Sequence, residues 1–310
     1  MIAFYDLDIS PVSYDFLHFL TGAQRAANGE PVHVVIVPGK NAGFKMFDHK
    51  PISRAEKQWR LGRVLLSSAA LAGATVTVCP TREFAKQFET EGHFPPGYRV
   101  DFPIHHYSLS VAVDAAKAGF MPAFSPSERA EQHVARWLEK HGRGEGLVTI
   151  TLRETHTPTR NSDFHSWMAA AYQLEKIGRK VVVIRDTERM TENLDDQWGG
   201  ILTPCPLASI DLDFRLALYK RSTLNLSSSG GPFMLNVLLG LPYVFFLAVD
   251  SPPHVEDGRP HFAPTSSFMA KQGLPPGSQW PSAGKDQRIV WKPDTLDNIL
   301  EALEPLKVAA

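Results

Sequence analysis

Cysteine is nearly missing from this sequence. Its 310 residues hold two, Cys79 and Cys205, far apart and neither in a C-x-x-C pair. A disulfide framework is thereby excluded, which favours a reducing compartment. Long apolar runs are missing too: none reaches the roughly 18 residues of a membrane-spanning helix. Met1-Ile-Ala-Phe-Tyr-Asp6 carries an acid early and no basic leading stretch, so it does not read as a secretory signal. The expected location is the cytoplasm. No sign of charge dominates, since Lys+Arg total 32 against Asp+Glu 33, and no long basic run stands out. That removes the electrostatic footprint of a nucleic-acid binder, while leaving room for a local basic groove around one anionic ligand. G-x-x-x-x-G-K-S/T, G-x-G-x-x-G after a strand, H-E-x-x-H and G-x-S-x-G are all absent. NTP hydrolysis, ordinary NAD chemistry, zinc proteolysis and α/β-hydrolase chemistry lose support with them.

What is present is a globular composition, 43% apolar and 21% charged, in a chain long enough for two domains. Apolar runs at Ile2–Tyr5, Val32–Val37 and Ala74–Val78 read as strands, with a fourth expected over Ile104–Tyr107. Helical spacing follows over Pro11–Ala27, Trp59–Ala72, Thr81–Gly92 and Ser110–Gly119. Cys79, closing the third run, reads as a small core residue. Ser127–Lys140 reads as a helix capped by Ser125 or Ser127, and His141-Gly-Arg-Gly-Glu-Gly146 as a linker. The pattern then restarts. Strands are expected at Leu147–Leu152, Lys180–Ile184, Ile201–Leu202, Thr223–Leu226, Tyr243–Leu247 and Arg288–Trp291. Helices are expected from a Ser162 or Asn161 cap to Ile177, over Leu212–Arg221 and over Asp294–Leu306. Alternating strands and helices imply parallel sheets wound on both faces. The expected domains are 1–125, a helix and linker over 126–146, and 147–310.

The densest stretch is Asn225-Leu-Ser-Ser-Ser-Gly-Gly-Pro-Phe-Met-Leu-Asn236: strand, small-residue turn, then a helix expected to open at Pro232 and stop at Gly240-Leu-Pro242. Such a turn either exposes free amides to an anion or is a plain βα connection. Ser227, Ser228, Ser229, Gly230, Gly231 and Asn236 are its candidate ligand contacts. Arg153 and Arg160 flank the end of the strand Leu147–Leu152, where an open parallel sheet binds ligands, and a guanidinium suits phosphate oxygens. Asp186 and Glu188, just past Lys180–Ile184, are candidates for a ribose or sugar hydroxyl, or else cap or solvate a helix. Asp6, Asp8, His105 and His106 are the candidate bases of the first half, with Asp8 and His106 foremost. His105 and His106 are adjacent and project oppositely if extended, which makes them a poor metal pair. Lys40, Asn41 and Lys45 either meet an anionic acceptor or form a solvated loop. Trp198, Trp280 and Trp291 either stack on a ligand or pack in a core.

This plan resembles the GT-B-type glycosyltransferases. Val148-Thr-Ile-Thr-Leu-Arg-Glu154 is similar to the strand opening their nucleotide-sugar domain, where an Arg after the strand often meets the diphosphate. Ser227-Ser-Ser-Gly-Gly-Pro232 with Asn236 resembles the later turn beneath the donor phosphates, and Leu239-Gly-Leu-Pro-Tyr-Val-Phe-Phe246 the exit that follows. The likeness covers about 147–250 and is only topological over 1–120. It implies two Rossmann-like doubly wound α/β domains facing each other across a cleft, with a nucleotide sugar as co-substrate, no other cofactor, and a pyrophosphate held by Arg153 and by amides ahead of Phe233. The E-x7-E pattern of the retaining branch is absent around 225–240, and Asp6-Leu-Asp8 and Asp211-Leu-Asp213 match a DxD only in letters. The resemblance therefore implies a metal-independent transferase, inverting rather than retaining, acting on a glycan or related acceptor. A nucleotide-sugar epimerase on the same scaffold and a non-catalytic sugar- or nucleotide-binding protein are the alternatives.

Overall fold

The computed structural model describes residues 1–45, 52–155, 160–194, 200–250, 254–256, 259–261 and 265–307. It divides into two compact units, Met1–Ser125 and Pro126–Ala310.

The first unit is built on three parallel strands, β1 (Ile2–Asp6), β2 (His33–Val37) and β3 (Thr75–Val78), in that spatial order. Successive side chains of β1 leave on opposite faces. Tyr5 meets Phe16 and Phe19 of the helix Phe16–Ala27 at ring-centroid distances of 4.6 and 5.0 Å. Phe4, on the other face, stacks on Tyr98 at 4.8 Å and joins a core with Val35, Val37, Cys79, Ala85 and Val100. The helix expected over Trp59–Ala72 starts earlier, at Arg54, because the Ser53 hydroxyl caps it by accepting the Glu56 N–H at 3.1 Å. It passes through a π-helical stretch, Leu61–Leu66, before ending at Leu71.

The strand expected over Ile104–Tyr107 does not form. The open edge of β1 is taken by Phe94 alone, which donates to the Ile2 carbonyl at 2.9 Å and accepts the Phe4 N–H at 2.8 Å. The next residue, Pro95, has no N–H with which to extend a ladder.

At the end of β1 the buried Asp6 carboxylate receives both Arg82 terminal nitrogens (2.8 and 2.9 Å), the Tyr98 hydroxyl (2.7 Å) and the Asp8 N–H (2.9 Å). Asp6 is thus a structural anchor and not a base.

The second unit carries β4 (Leu147–Thr151), β5 (Lys180–Ile184), β6 (Thr203–Pro204), β7 (Leu224–Ser228), β8 (Tyr243–Phe246) and β11 (Gln287–Val290), all parallel. Two further strands, β9 (His254–Glu256) and β10 (Arg259–His261), pair antiparallel in the tail, where no strand was expected. The six strands are ordered β11-β8-β7-β4-β5-β6. Taking them in chain order, this is 6-5-4-1-2-3, the Rossmann order, with its switch point between β4 and β7.

One face of this sheet is apolar. Val148, Ile150, Leu224, Leu226, Val244 and Phe246 pack under Trp167 and Ala171 of the helix Phe164–Lys176 and under Ile299 and Leu303 of Leu296–Lys307. The other face is polar and equally buried. Thr149 donates to Asn225 Oδ1 at 2.6 Å, Asn225 Nδ2 donates to the Tyr219 and Pro242 carbonyls, and Thr151 and the Tyr219 hydroxyl lie 2.8 Å apart. Tyr219 belongs to the helix Leu212–Arg221, which packs on Glu128–Lys140. Ser127 caps the latter helix and is itself held by the Asp213 carboxylate.

Two expected details differ. Asp163, not Ser162 or Asn161, caps Phe164–Lys176, accepting the Ser166 N–H at 3.3 Å. The helix after the serine turn has only five residues, Met234–Leu238. Its first amides, those of Met234, Leu235 and Asn236, bond back to the carbonyls of Gly231, Pro232 and Phe233. Gly240, at φ 63°, closes it, and the Leu241 N–H returns to the Asn236 carbonyl.

Asp6→Ala strands the Arg82 guanidinium against the first unit's core. It is expected to cost about 3–5 kcal/mol, read as a drop in the midpoint of urea unfolding followed by first-unit resonances.

Candidate functional site

β4 and β7 run parallel with Thr151 opposite Ser227, so the chain leaves both strands at the same edge and in opposite directions. Leu152-Arg153-Glu154 exits one strand and Ser228-Ser229-Gly230 the other. Arg153 donates from Nη1 to the Ser229 carbonyl at 2.8 Å, and Arg160 donates from Nη2 to the Ser229 hydroxyl at 3.0 Å. Two guanidinium groups thus converge on one serine at the switch point.

Arg153 is mostly buried, and no carboxylate among the described residues reaches ion-pair distance of it. Its Nε is enclosed and has no hydrogen-bond partner. Burial, with the neighbouring Arg160 charge, pushes its guanidinium down to about 9, against a smaller opposing pull from Asp186. At neutral pH the group is still charged. A desolvated cation of this kind lacks an anion more than it lacks space.

Around it the loop is rigidly tied. Arg153 N–H donates to the Ser162 hydroxyl and Ser162 N–H donates to the Arg153 carbonyl, both at 2.8 Å. Ser162 Oγ also bonds Ser228 Oγ. Asn161 holds Thr155 through its amide, at 2.9 and 2.6 Å. Glu154 turns away into a buried pair with Arg185, whose Nε donates to it at 3.0 Å while the guanidinium lies 5.2 Å over the Phe164 ring.

The remaining expected contacts of this unit sort clearly. Asp186 is near enough to act on Arg153, but its carboxylate accepts the Glu154 N–H at 3.3 Å and the Thr187 N–H at 2.8 Å, so it serves the backbone. Glu188 is exposed on the short turn Thr187–Arg189. Ser227 is buried, its hydroxyl within reach of the Thr151 and Ser228 carbonyls. Asn236 is fully enclosed between buried neighbours, and neither atom of its amide has a hydrogen-bond partner. It faces inward because the helix is a single short turn whose other buried members are Leu235, Val237 and Leu238.

The amides of Met234, Leu235 and Asn236 are already spent within the helix, whereas those expected to meet an anion lie ahead of Phe233; the positive charge beside that turn comes from the two arginines. Gly230 and Gly231 lie in the intervening turn, and neither takes a left-handed backbone. A Cβ at Gly230 would meet only ordinary contacts, the nearest being the Ser228 carbonyl at 3.5 Å. Trp280 is core, and Trp291 donates its indole N–H to the Ser278 carbonyl at 2.6 Å. Trp198 lies outside the described residues.

In the first unit, Asp8 is fully engaged: Oδ1 accepts the Lys40 N–H at 2.9 Å and Oδ2 faces Lys40 Nζ at 3.5 Å. It is a latch for the turn Gly39–Phe44. Asn41 is exposed on that turn and Lys45 is half-buried, its carbonyl facing Lys57. His106 packs edge-on to Phe94 at 4.9 Å, and burial and His105 lower its basicity. His105 is exposed beside Tyr107.

The residues overlooked in the sequence are Asp15 and His18, one turn apart where β1 passes into its helix. His18 Nδ1 faces the Tyr107 carbonyl at 3.2 Å. A carbonyl only accepts, so Nδ1 carries the proton and Nε2 keeps the lone pair. That Nε2 is buried without a partner. Burial lowers the basicity of His18, while Asp15 and the Tyr107 carbonyl pull it back up. Asp15 accepts the Ser13 hydroxyl on Oδ2 at 2.9 Å. Its D-x-x-H spacing on one helical face was the available signal.

Comparison with known proteins adds the fold. No protein-family model matches the sequence, and no curated protein matches it. Among solved structures, the E. coli ADP-heptose LPS heptosyltransferase II aligns with a TM-score of 0.53 at 12% identity, over 100% of this chain and 99% of that one. The chain has a GT-B fold. A glycosyl transferase family 9 protein from Veillonella parvula aligns at 0.49 and 12% identity, over 100% and 97% of the two chains. The GT-B fold accounts for the two Rossmann-like units. Among the described residues no helix is long and apolar enough to cross a membrane, and no three His, Cys, Asp or Glu side chains gather as a metal site.

Because the native state holds Arg153 with a lowered proton affinity, its desolvation penalty is complete below pH 9. The penalty fades as pH rises from there toward 12, where the folded chain sheds a proton that the unfolded chain keeps. Arg153→Met is therefore expected to raise the unliganded Tm at pH 7, by an amount worth on the order of a few kcal/mol. Calorimetry should show that gain shrinking above pH 9.

Proposed function

We propose that this chain is a glycosyltransferase that binds a nucleoside-diphosphate sugar at the β4–β7 switch point and transfers the sugar to a hydroxyl of a glycan or related acceptor. The observation that carries the reading is Arg153: a desolvated guanidinium with no carboxylate at ion-pair distance among the described residues, beside a second arginine, at the strand ends where parallel sheets bind ligands. A diphosphate supplies the missing negative charge. Arg153 and Arg160 then hold the leaving group, and their attraction grows as charge accumulates on it. The heptosyltransferase with the same fold takes an ADP-linked sugar, which makes ADP the first base to test.

The chemistry is a single displacement. The acceptor oxygen forms a bond to the anomeric carbon, the bond from that carbon to the diphosphate oxygen breaks, and the electron pair leaves with the diphosphate. The acceptor's proton goes to a general base, for which Asp15 is the first unit's candidate. Of the acids after β1, Asp6 and Asp8 have both oxygens committed, whereas Asp15 is half-exposed with only Oδ2 bonded to the Ser13 hydroxyl. His18, held in one tautomer, lies beside it to share the charge. One step on one face inverts the anomeric centre. Donor, acceptor and this stereochemistry belong to the proposal.

A thermal-shift series with ADP, UDP, GDP and their sugars tests it. At least one nucleoside diphosphate is expected to raise the Tm, by about 2.7 kcal/mol of stability at a hundredfold excess over Kd, and Arg153→Ala to reduce that gain. No shift from any of them overturns the reading. Gly230→Ala is a sharper probe, because the fold itself does not require glycine there. It should leave the unliganded Tm within about 1 kcal/mol of wild type yet weaken nucleotide binding. Asp15→Asn should keep nucleotide binding and lose turnover by about 100-fold or more, measured as free diphosphonucleoside released.

A further inference from the structure

We infer that Ser162 is a positioning residue that aims the Arg153 guanidinium; its link to phosphate binding rests on the reading just given. Ser162 sits just before the Asp163 cap and takes no part in capping. Instead it makes three bonds to the two strand exits. Its N–H and hydroxyl grip the backbone of Arg153 from both sides at 2.8 Å, and the same hydroxyl bonds Ser228 Oγ at the end of β7. The next residue, Ser229, is the one that receives Arg153 Nη1 on its carbonyl and Arg160 Nη2 on its hydroxyl.

Ser162 therefore stands at the corner of a closed circuit: Arg153 main chain, Ser162, Ser228, Ser229, Arg153 guanidinium. An arginine side chain has four rotatable bonds, and fixing its Cα against the strand that carries its Nη1 acceptor removes most of the freedom through which it would otherwise swing to water. With the corner intact, Nε stays enclosed and unbonded. An ordinary loop-closing serine needs only the backbone bonds; the link across to Ser228 is what ties the guanidinium's origin to its destination.

Inorganic pyrophosphate and ADP are the probes, titrated calorimetrically into wild type, Ser162→Ala, Ser162→Thr and Ser228→Ala. Each protein is first checked for a native melt. The readout specific to Arg153 is hydrogen exchange of its Nε–H by NMR in the unliganded protein. Ser162→Ala is expected to weaken pyrophosphate and ADP about tenfold and to speed Nε–H exchange. Ser162→Thr should restore both. Should Ser162→Ala fail to fold, Ser228→Ala cuts the same circuit at its far link and is expected to act in the same direction. Unchanged affinity and unchanged exchange in a folded Ser162→Ala overturn the inference. If wild type binds neither probe, the diphosphate reading falls by itself. The exchange measurement still decides the positioning role: faster Nε–H exchange in Ser162→Ala supports it, and unchanged exchange refutes it.

Discussion

Burying a guanidinium without a carboxylate costs several kcal/mol, and among the described residues none reaches ion-pair distance of Arg153, where a fold built for stability alone would place an acid beside it or a methionine in its stead. The first unit shows the alternative. Arg82 is answered twice over by Asp6, with Tyr98 completing the cage. Glu154 and Arg185 repeat that answer in the second unit itself, one residue from Arg153. Neighbouring residues on one loop thus differ: Glu154 is neutralised by Arg185, while Arg153 has no carboxylate at ion-pair distance among the described residues. Strain of this sort persists where function repays it.

Why the uncompensated charge sits at this place follows from the sheet. Every residue of β4 and β7 is buried, because helices cover both faces. Chemistry is then confined to the strand ends. Only at the switch point do the departing chains turn away from one another and leave room between them. The serine turn supplies short side chains there, and the tie through Ser162 keeps the two exits in register.

Much of this was legible in the primary structure. β-branched runs such as Lys180–Ile184 marked strands, and Arg153 was legible as lying just beyond a strand end. What misled was partnership across long separations. Asp8 reads from the sequence as an acid after a strand, and nothing local announces that Lys40, 32 residues on, meets both its oxygens. Ile104–Tyr107 has the composition of a strand, but the edge of β1 was already taken by Phe94. Ser162 and Asp163 are both good caps, and local chemistry does not choose between them; the bond to Ser228, 66 residues away, does. The serine turn promised amides to an anion because Pro232 suits a first helical turn. The helix that follows is only five residues long and uses its own first amides, and the positive charge beside the turn comes from the side chains of Arg153 and Arg160.

The polar underside of the second sheet has a bearing on how the chain finds its topology. Thr149 and Asn225 are direct partners across β4 and β7, and Asn225 has three further commitments divided between that pairing, Tyr219 and Pro242. Hydrophobic strands of this composition would adhere in many alignments with little to choose among them. Sliding β7 by two positions keeps every valine and leucine in oil but strands an amide and a hydroxyl there. Misaligned sheets are thereby penalised at the junction of β4 and β7, where the strand order reverses, so the pairing that sets the topology is also the one where a slip is least tolerated.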